Sequence, residues 1–211
     1  MALENDRWQF PPFANGGARQ ALASVCFYVL DLPEPPTVII ADDTSGRIPS
    51  LVLREALRPE TDMPPKHYFI SGTATPDSKA GFRLNPDDSV LVVSEMIYSG
   101  RSVLSIIRRI VSDFGVPEHN HRVVSVAANA QGLDNLKFYL PKNELFIGST
   151  NEQDGNYYRD RKNFSGVQNG VDSVHSVRRF GHDQPSVRLA RNEARKLGQI
   201  IHSDWLKSKN T

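Results

Sequence analysis

The residues best suited to a chemistry lie in Ser89–Ser102, which reads SVLVVSEMIYSGRS. Gly100 lets the backbone come close to a bound group, Ser99 and Ser102 supply hydroxyls, and Arg101 supplies a fixed positive charge. Glu95 stands just ahead of them. Together they describe a cup for a phosphate with an acid beside it. A second set, Asp42-Asp43-Thr44-Ser45-Gly46-Arg47, repeats these ingredients. Asp42 and Asp43 can orient Arg47, or water on a magnesium ion, because hard cations take carboxylate oxygens and keep most of their waters. The plainer reading of this second set is a turn followed by a helix cap, for which the same residues are favoured.

Each set needs a strand before it and a helix after it. Val90–Val93 has the length and β-branching of a strand buried on both faces. Ser102–Phe114 carries Val103, Ile106, Ile107 and Ile110 at helical spacing. Upstream, Thr37–Ala41 (TVIIA) predicts a strand and Pro49–Leu57 (PSLVLREAL) a helix that Pro49 opens, in the first-turn position proline prefers. In both units the polar loop falls at the carboxyl end of the strand. The N–H groups of the following helix turn point into it, and anions collect there. His67–Ser71, Arg122–Ala128 and Glu144–Ile147 predict three further strands. The alternation predicts an α/β fold, a doubly wound, mainly parallel sheet of right-handed βαβ units. Ligands of such sheets gather at the carboxyl ends of strands where the strand order reverses, so one cleft can contain both sets. Ala18–Leu32 predicts a mostly buried helix ended by Pro33, Pro35 and Pro36. Core packing is the default for Trp8, Phe10 and Phe13 ahead of it.

The 90–102 stretch resembles the phosphoribosyl-pyrophosphate (PRPP) motif of the type I phosphoribosyltransferases: an apolar strand, two adjacent acids, a short spacer, then Thr-Gly-x-Thr/Ser. Ser94-Glu95 fall on the acidic pair, and Tyr98-Ser99-Gly100-Arg101-Ser102 on the loop that holds the 5′-phosphate. Within the family the nearest look is to the uracil-type enzymes and attenuation regulators. The resemblance implies a fold of the type I phosphoribosyltransferase kind, with PRPP or a nucleotide and a nitrogenous base as ligands and Mg2+ as cofactor. It implies transfer of a phosphoribosyl group with release of pyrophosphate. It makes Glu95 and Tyr98 the catalytic candidates, and Ser94, Glu95, Ser99, Gly100, Arg101 and Ser102 the PRPP-binding ones. Thr44, Ser45, Gly46 and Arg47 become the pyrophosphate loop, and Glu95, Asp42 and Asp43 the metal ligands. Two positions depart from the pattern. Ser94 replaces the first acid, and Tyr98 stands where many members have an aspartate. The alternative these raise is a non-catalytic nucleotide- or PRPP-binding regulatory or interaction protein that kept the fold and lost the transfer chemistry.

Gly72–Asp88 (GTATPDSKAGFRLNPDD) is long and polar for a connection without its own structure. The resemblance makes it a mobile lid that brings Lys79 or Arg83 over the reacting centre; a solvated linker with two surface cations is the other reading. The charge is uneven. Residues 157–211 hold eleven Lys/Arg against five Asp/Glu, a net charge of +6, whereas residues 1–156 carry −5. The expected organisation is an α/β core over 1–156 and a basic C-terminal extension over 157–211 packed on it. Ser186–Lys207 predicts a helix, with Ala190, Ala194, Leu197, Ile201 and Trp205 on one stripe. The resemblance makes the extension a hood, with Tyr157, Tyr158, Phe164, Arg178, Arg179 and Phe180 facing a flat substrate. Its cations are otherwise a solvated face, or a surface for RNA or DNA, which rewards clustered cations and stacking rings.

At 211 residues the chain can bury a core without metals or disulfides. Its single cysteine, Cys26, cannot form an internal disulfide and fits a reducing compartment. No apolar run reaches the ~18 residues of a membrane span. The start, MALENDRWQF, has acids where a signal peptide has a basic region. The six histidines lack zinc-protease spacing, and there is no GxxxxGKS/T loop, no GxGxxG after a strand and no GxSxG elbow. A cytoplasmic protein without a membrane partner is expected, and a homodimer is among the assemblies the sequence allows.

Overall fold

The computed structural model describes residues 8–14, 16–42, 46–60, 63–70, 83–141, 144–150 and 185–210. Strands β1 (Val38–Asp42), β2 (Lys66–Ile70), β3 (Val90–Ile97), β4 (His121–Ala128) and β5 (Leu145–Thr150) form one sheet in the order β2-β1-β3-β4-β5. Every neighbouring pair is parallel. Helices α1 (Pro11–Ala14), α2 (Gly16–Leu30), α3 (Arg47–Leu57), α4 (Arg101–Phe114), α5 (Ala130–Lys137) and α6 (Pro185–Lys209), with short 3-10 turns at Arg58–Glu60 and Glu118–Asn120, complete the described elements. This is the doubly wound parallel α/β architecture that the alternation predicts. No helix among the described residues is long and apolar enough to cross a membrane.

All five residues of β1 are buried, as are Val90 to Glu95 of β3, because helices cover both faces of the sheet. On one face α2 and α3 pack Leu22, Val25, Val29, Val52, Leu53 and Leu57 against Ile39, Leu91, Val93, Val124 and Val126. On the other, α4 packs Val103, Ile106, Ile107 and Ile110, with Leu136 of α5, against Val38, Ile40, Val90, Val92 and Val123. Burial of this kind contributes about 1.5–3 kcal/mol per large side chain. Gly115, in the left-handed region at φ 68°, closes α4, and its N–H donates to the Val111 carbonyl at 3.1 Å.

Helix α6 lies on α3 and α2 as an outer layer, burying Ala190, Ala194, Leu197 and Ile201. The Glu193 carboxylate accepts from the backbone N–H groups of Gln9 and Phe10 at 2.8 and 2.9 Å, and Trp205 Nε1 donates to Asp31 at 2.8 Å. The C-terminal helix thereby holds both the start of the described chain and the end of α2. Phe10 and Phe13 are core residues, in edge-to-face contact with centroids 5.1 Å apart. The six aromatic and basic residues assigned to a hood, Tyr157 to Phe180, lie outside the described residues.

Element boundaries differ from the expectations where polar residues continue a strand. β3 runs to Ile97, so Ser94 and Glu95 belong to the strand itself rather than to the loop beyond Val93. β1 includes Asp42. α3 begins at Arg47, not at Pro49, which makes Pro49 its third residue. The missing N–H costs nothing there, since the first four N–H groups of a helix have no partner within it. Neither α1 nor α5 is expected from the sequence.

Candidate functional site at the reversal of strand order

With the order β2-β1-β3-β4-β5, the chain leaves β1 for α3 on one face of the sheet and leaves β3 for α4 on the other. Two neighbouring strands whose connections depart to opposite faces leave a crevice at their carboxyl ends, where open α/β sheets bind ligands. The β1–α3 and β3–α4 loops, which carry the candidate residues, are the two that flank it.

On the β1 side, Asp42 ends the strand with its side chain buried, and its carbonyl accepts from Gly46 N–H at 2.8 Å. Gly46 precedes α3 at φ −80°, which any residue adopts. Its smallness is needed for another reason. A Cβ there would lie 2.3 Å from the Val93 carbonyl oxygen and 2.8 Å from Asp42 N. The loop therefore crosses directly over the backbone of β3. Arg47 opens α3, and its guanidinium carbon lies 5.0 Å from the centre of the Phe69 ring of β2. Asp43, Thr44 and Ser45 lie outside the described residues.

On the β3 side, Ser94 is buried and its hydroxyl donates to the Met96 carbonyl at 3.3 Å. Ser125, paired with it on β4, does the same to Ala127 at 2.8 Å. Val93 packs on the α3 face yet Ile97 packs on the α4 face, so the regular alternation changes over this end of the strand. Glu95 is buried in the same stretch. Tyr98 emerges from the end of β3 with 69% of its surface exposed. Gly100 caps α4 at φ 73°, in the left-handed region that favours glycine. A Cβ at Gly100 would meet Leu136 Cγ at 3.1 Å and the Gly132 carbonyl at 3.4 Å. On the side where a Cβ would stand, the close neighbour of this glycine is thus α5. Ser99 is braced from the same helix, its carbonyl accepting from Asn135 Nδ2 at 3.0 Å. Arg101 is exposed.

A hydrogen bond joins the two sides. Ser102, in the first turn of α4, donates through Oγ to Asp42 Oδ2 at 2.8 Å, across sixty positions of sequence. The candidate residues Asp42, Gly46, Ser94 and Ser102 thus come together at one end of β1 and β3. Of the lid candidates, Lys79 lies outside the described residues. Arg83 is exposed, and its carbonyl accepts from Tyr68 of β2 at 3.4 Å.

The charge at the crevice is organised by the helices. α3 and α4 both follow a glycine, both begin with arginine, and neither has an acid in its first turn. α5 begins one strand further along and is capped conventionally, with Asn129 Oδ1 accepting from Gly132 N–H at 2.7 Å. An arginine at a helix N-terminus opposes the helix dipole, and an anion bound there relieves both. Among the described residues no three His, Cys, Asp or Glu side chains gather as a metal cluster. Asp42 and Glu95 are carboxylates of the kind a magnesium ion uses when it is held mainly through water and a ligand's phosphates.

The sequence reading missed the residues behind Arg47. Ser50 Oγ donates to the Arg47 carbonyl and lies 2.9 Å from His67 Nε2. Burial, reinforced by the nearby Arg54 charge, lowers the pKa of His67 to about 4. The available signal was period two: His67 and Phe69 alternate on one side of β2. Also missed was α5, whose Asn129 cap precedes a helix of eight residues with a glycine inside it, too short for periodicity to register.

No protein-family model matches the chain, and no curated protein matches it. Among solved structures the chain is similar to the crystal structure of APRTase from Giardia lamblia complexed with 9-deazaadenine. Identity is 13%, the match covers 64% of this chain and 80% of that one, and the TM-score is 0.48.

Proposed function

We propose that this protein binds PRPP or a related ribose 5-phosphate in the crevice between β1 and β3, and transfers the phosphoribosyl group to or from a nitrogenous base with release of pyrophosphate. The observation that carries this reading is the pairing at the reversal of strand order. Two adjacent helices there begin with glycine then arginine, without first-turn acids, and Ser102 and Asp42 join their loops. Two neighbouring positive helix starts suit a ligand with two separated anionic groups. In this reading Ser99, Arg101, Ser102 and the backbone at Gly100 hold the 5′-phosphate, and Thr44 to Arg47 the pyrophosphate. Asp42, Asp43 and Glu95 would hold Mg2+, which would supply charge neutralisation of the pyrophosphate. The crevice positions the base and keeps water from the reacting carbon.

One observation favours the non-catalytic reading. Ser94 takes the place of an acid, and its hydroxyl is used by the Met96 carbonyl within the strand. A protein of that kind binds the ligand and does not turn it over. Pyrophosphate release with Mg2+, PRPP and a panel of bases, alongside calorimetry with PRPP and ribose 5-phosphate, separates the readings. Binding with release supports the transferase, and binding without release the regulatory protein. Absence of binding at millimolar ligand, with a folded protein, rejects both.

A further inference from the structure

We propose that Phe69, His67 and Ser50 are positioning residues that hold the Arg47 side chain at the crevice for a pyrophosphoryl group, an inference that rests on the ribose-phosphate reading above. Four contacts form a closed circuit between the first turn of α3 and the end of β2. The Arg47 guanidinium carbon is 5.0 Å from the Phe69 ring centre, and the Phe69 and His67 ring centres are 4.5 Å apart. His67 Nε2 is 2.9 Å from Ser50 Oγ, and Ser50 Oγ donates to the Arg47 carbonyl at 2.9 Å. With the one Ser50 hydroxyl hydrogen given to the Arg47 carbonyl, a neutral His67 completes the circuit as its Nε2–H tautomer.

The arrangement places the arginine where a ligand would need it. Phe69 pairs in register with Ala41, the residue before Asp42, so its ring lies beside the carboxyl end of β1. Stacking uses the flat face of a guanidinium, whereas anions bind at its N–H edge, so both contacts can be made at once. Phe69 keeps 42% of its surface exposed, which is unusual for a ring whose only task is packing. Ser50, by contrast, is fully buried, so the circuit is anchored in the core at one end and exposed at the other.

The test compares Phe69→Leu, Phe69→Tyr and Arg47→Gln by two readouts. The first is the Arg47 Nε–H proton resonance of the ligand-free protein, which ring current shifts upfield when the guanidinium lies over Phe69. The second is calorimetric affinity for inorganic pyrophosphate, with ribose 5-phosphate as the probe of the other loop. The upfield shift is expected in wild type and Phe69→Tyr and is lost in Phe69→Leu. Pyrophosphate affinity falls about two- to fivefold in Phe69→Leu and about tenfold in Arg47→Gln, and stays near wild type in Phe69→Tyr. Ribose 5-phosphate affinity does not change. If Arg47→Gln weakens pyrophosphate and Phe69→Leu does not, the positioning inference is overturned while the ribose-phosphate reading stands. Equal loss of both ligands in Phe69→Leu means a general structural role and also overturns it. If wild type shows the ring-current shift but binds no pyrophosphate with or without Mg2+, the ribose-phosphate reading fails and takes the inference with it.

Discussion

Gly46 offers the sharpest separation of steric from conformational cost, because its backbone is ordinary and its surroundings are not. At φ −80° an alanine has no torsional penalty. Its Cβ, however, would sit 2.3 Å from the Val93 carbonyl oxygen and within 3.1 Å of two backbone atoms of Asp42. A relaxed carbon–oxygen contact is about 1 Å longer than that, and the atoms struck are backbone of buried residues in two central strands, which cannot rotate aside. The β1–α3 loop must lift instead. Overpacking of this order costs about 3 kcal/mol, which for a chain of this size lowers Tm by roughly 6–12 °C. Gly115 supplies the control. It has φ 68° and nothing within 4 Å of a built Cβ, so Gly115→Ala meets only the left-handed penalty of roughly 1 kcal/mol. Urea denaturation followed by circular dichroism should place Gly46→Ala about 2 kcal/mol below Gly115→Ala. Lifting the loop should also break the bond from Ser102 to Asp42 and weaken ribose 5-phosphate binding in calorimetry. Equal stability of the two variants would refute the claim that Gly46 is needed for a close crossing over β3.

Three further outcomes are expected. Asp42→Asn removes a carboxylate that stands beside the anion loop, so metal-free ribose 5-phosphate binding should strengthen about three- to tenfold while the gain from adding Mg2+ disappears; equal change in both conditions means Asp42 only anchors Ser102. Glu95→Gln should weaken Mg2+-dependent PRPP binding more than metal-free ribose 5-phosphate binding, as calorimetry in paired buffers will report. His67, with its pKa lowered from 6.5 to about 4, is neutral in the fold, and below pH 6.5 the unfolded chain takes up a proton that the native state refuses. Its contribution is therefore complete above pH 6.5 and is lost as pH falls toward 4, by at most about 3 kcal/mol, and His67→Gln should flatten that part of the stability profile.

The parallel sheet was legible in the sequence because its central strands are buried on both faces. Runs such as VIIA and VLVV have no competing interpretation once polar, glycine-containing loops and helical repeats follow each of them. The two loops of the candidate site were legible for the same reason, since each fills the gap between a strand and a helix. Their internal geometry was not. Composition shows that Gly46 and Gly100 are glycines in phosphate-suited loops; it does not show that one is forced by a carbonyl of β3 and that the other has a left-handed backbone packed close to a leucine of α5. Those partners are 47 and 36 positions away, a separation at which only the register of strands and helices decides what touches. The reach of Ser102 to Asp42, and the ring of contacts from Arg47 through Ser50 and His67 to Phe69, are non-local in the same way. They arise because strand order reverses between β1 and β3, which brings two helix starts side by side on opposite faces of one sheet. A motif read along the chain finds one half of such a site. The second half becomes part of it through the order in which the strands lie, and a change that disturbs that crossing, as at Gly46, should therefore damage both halves at once.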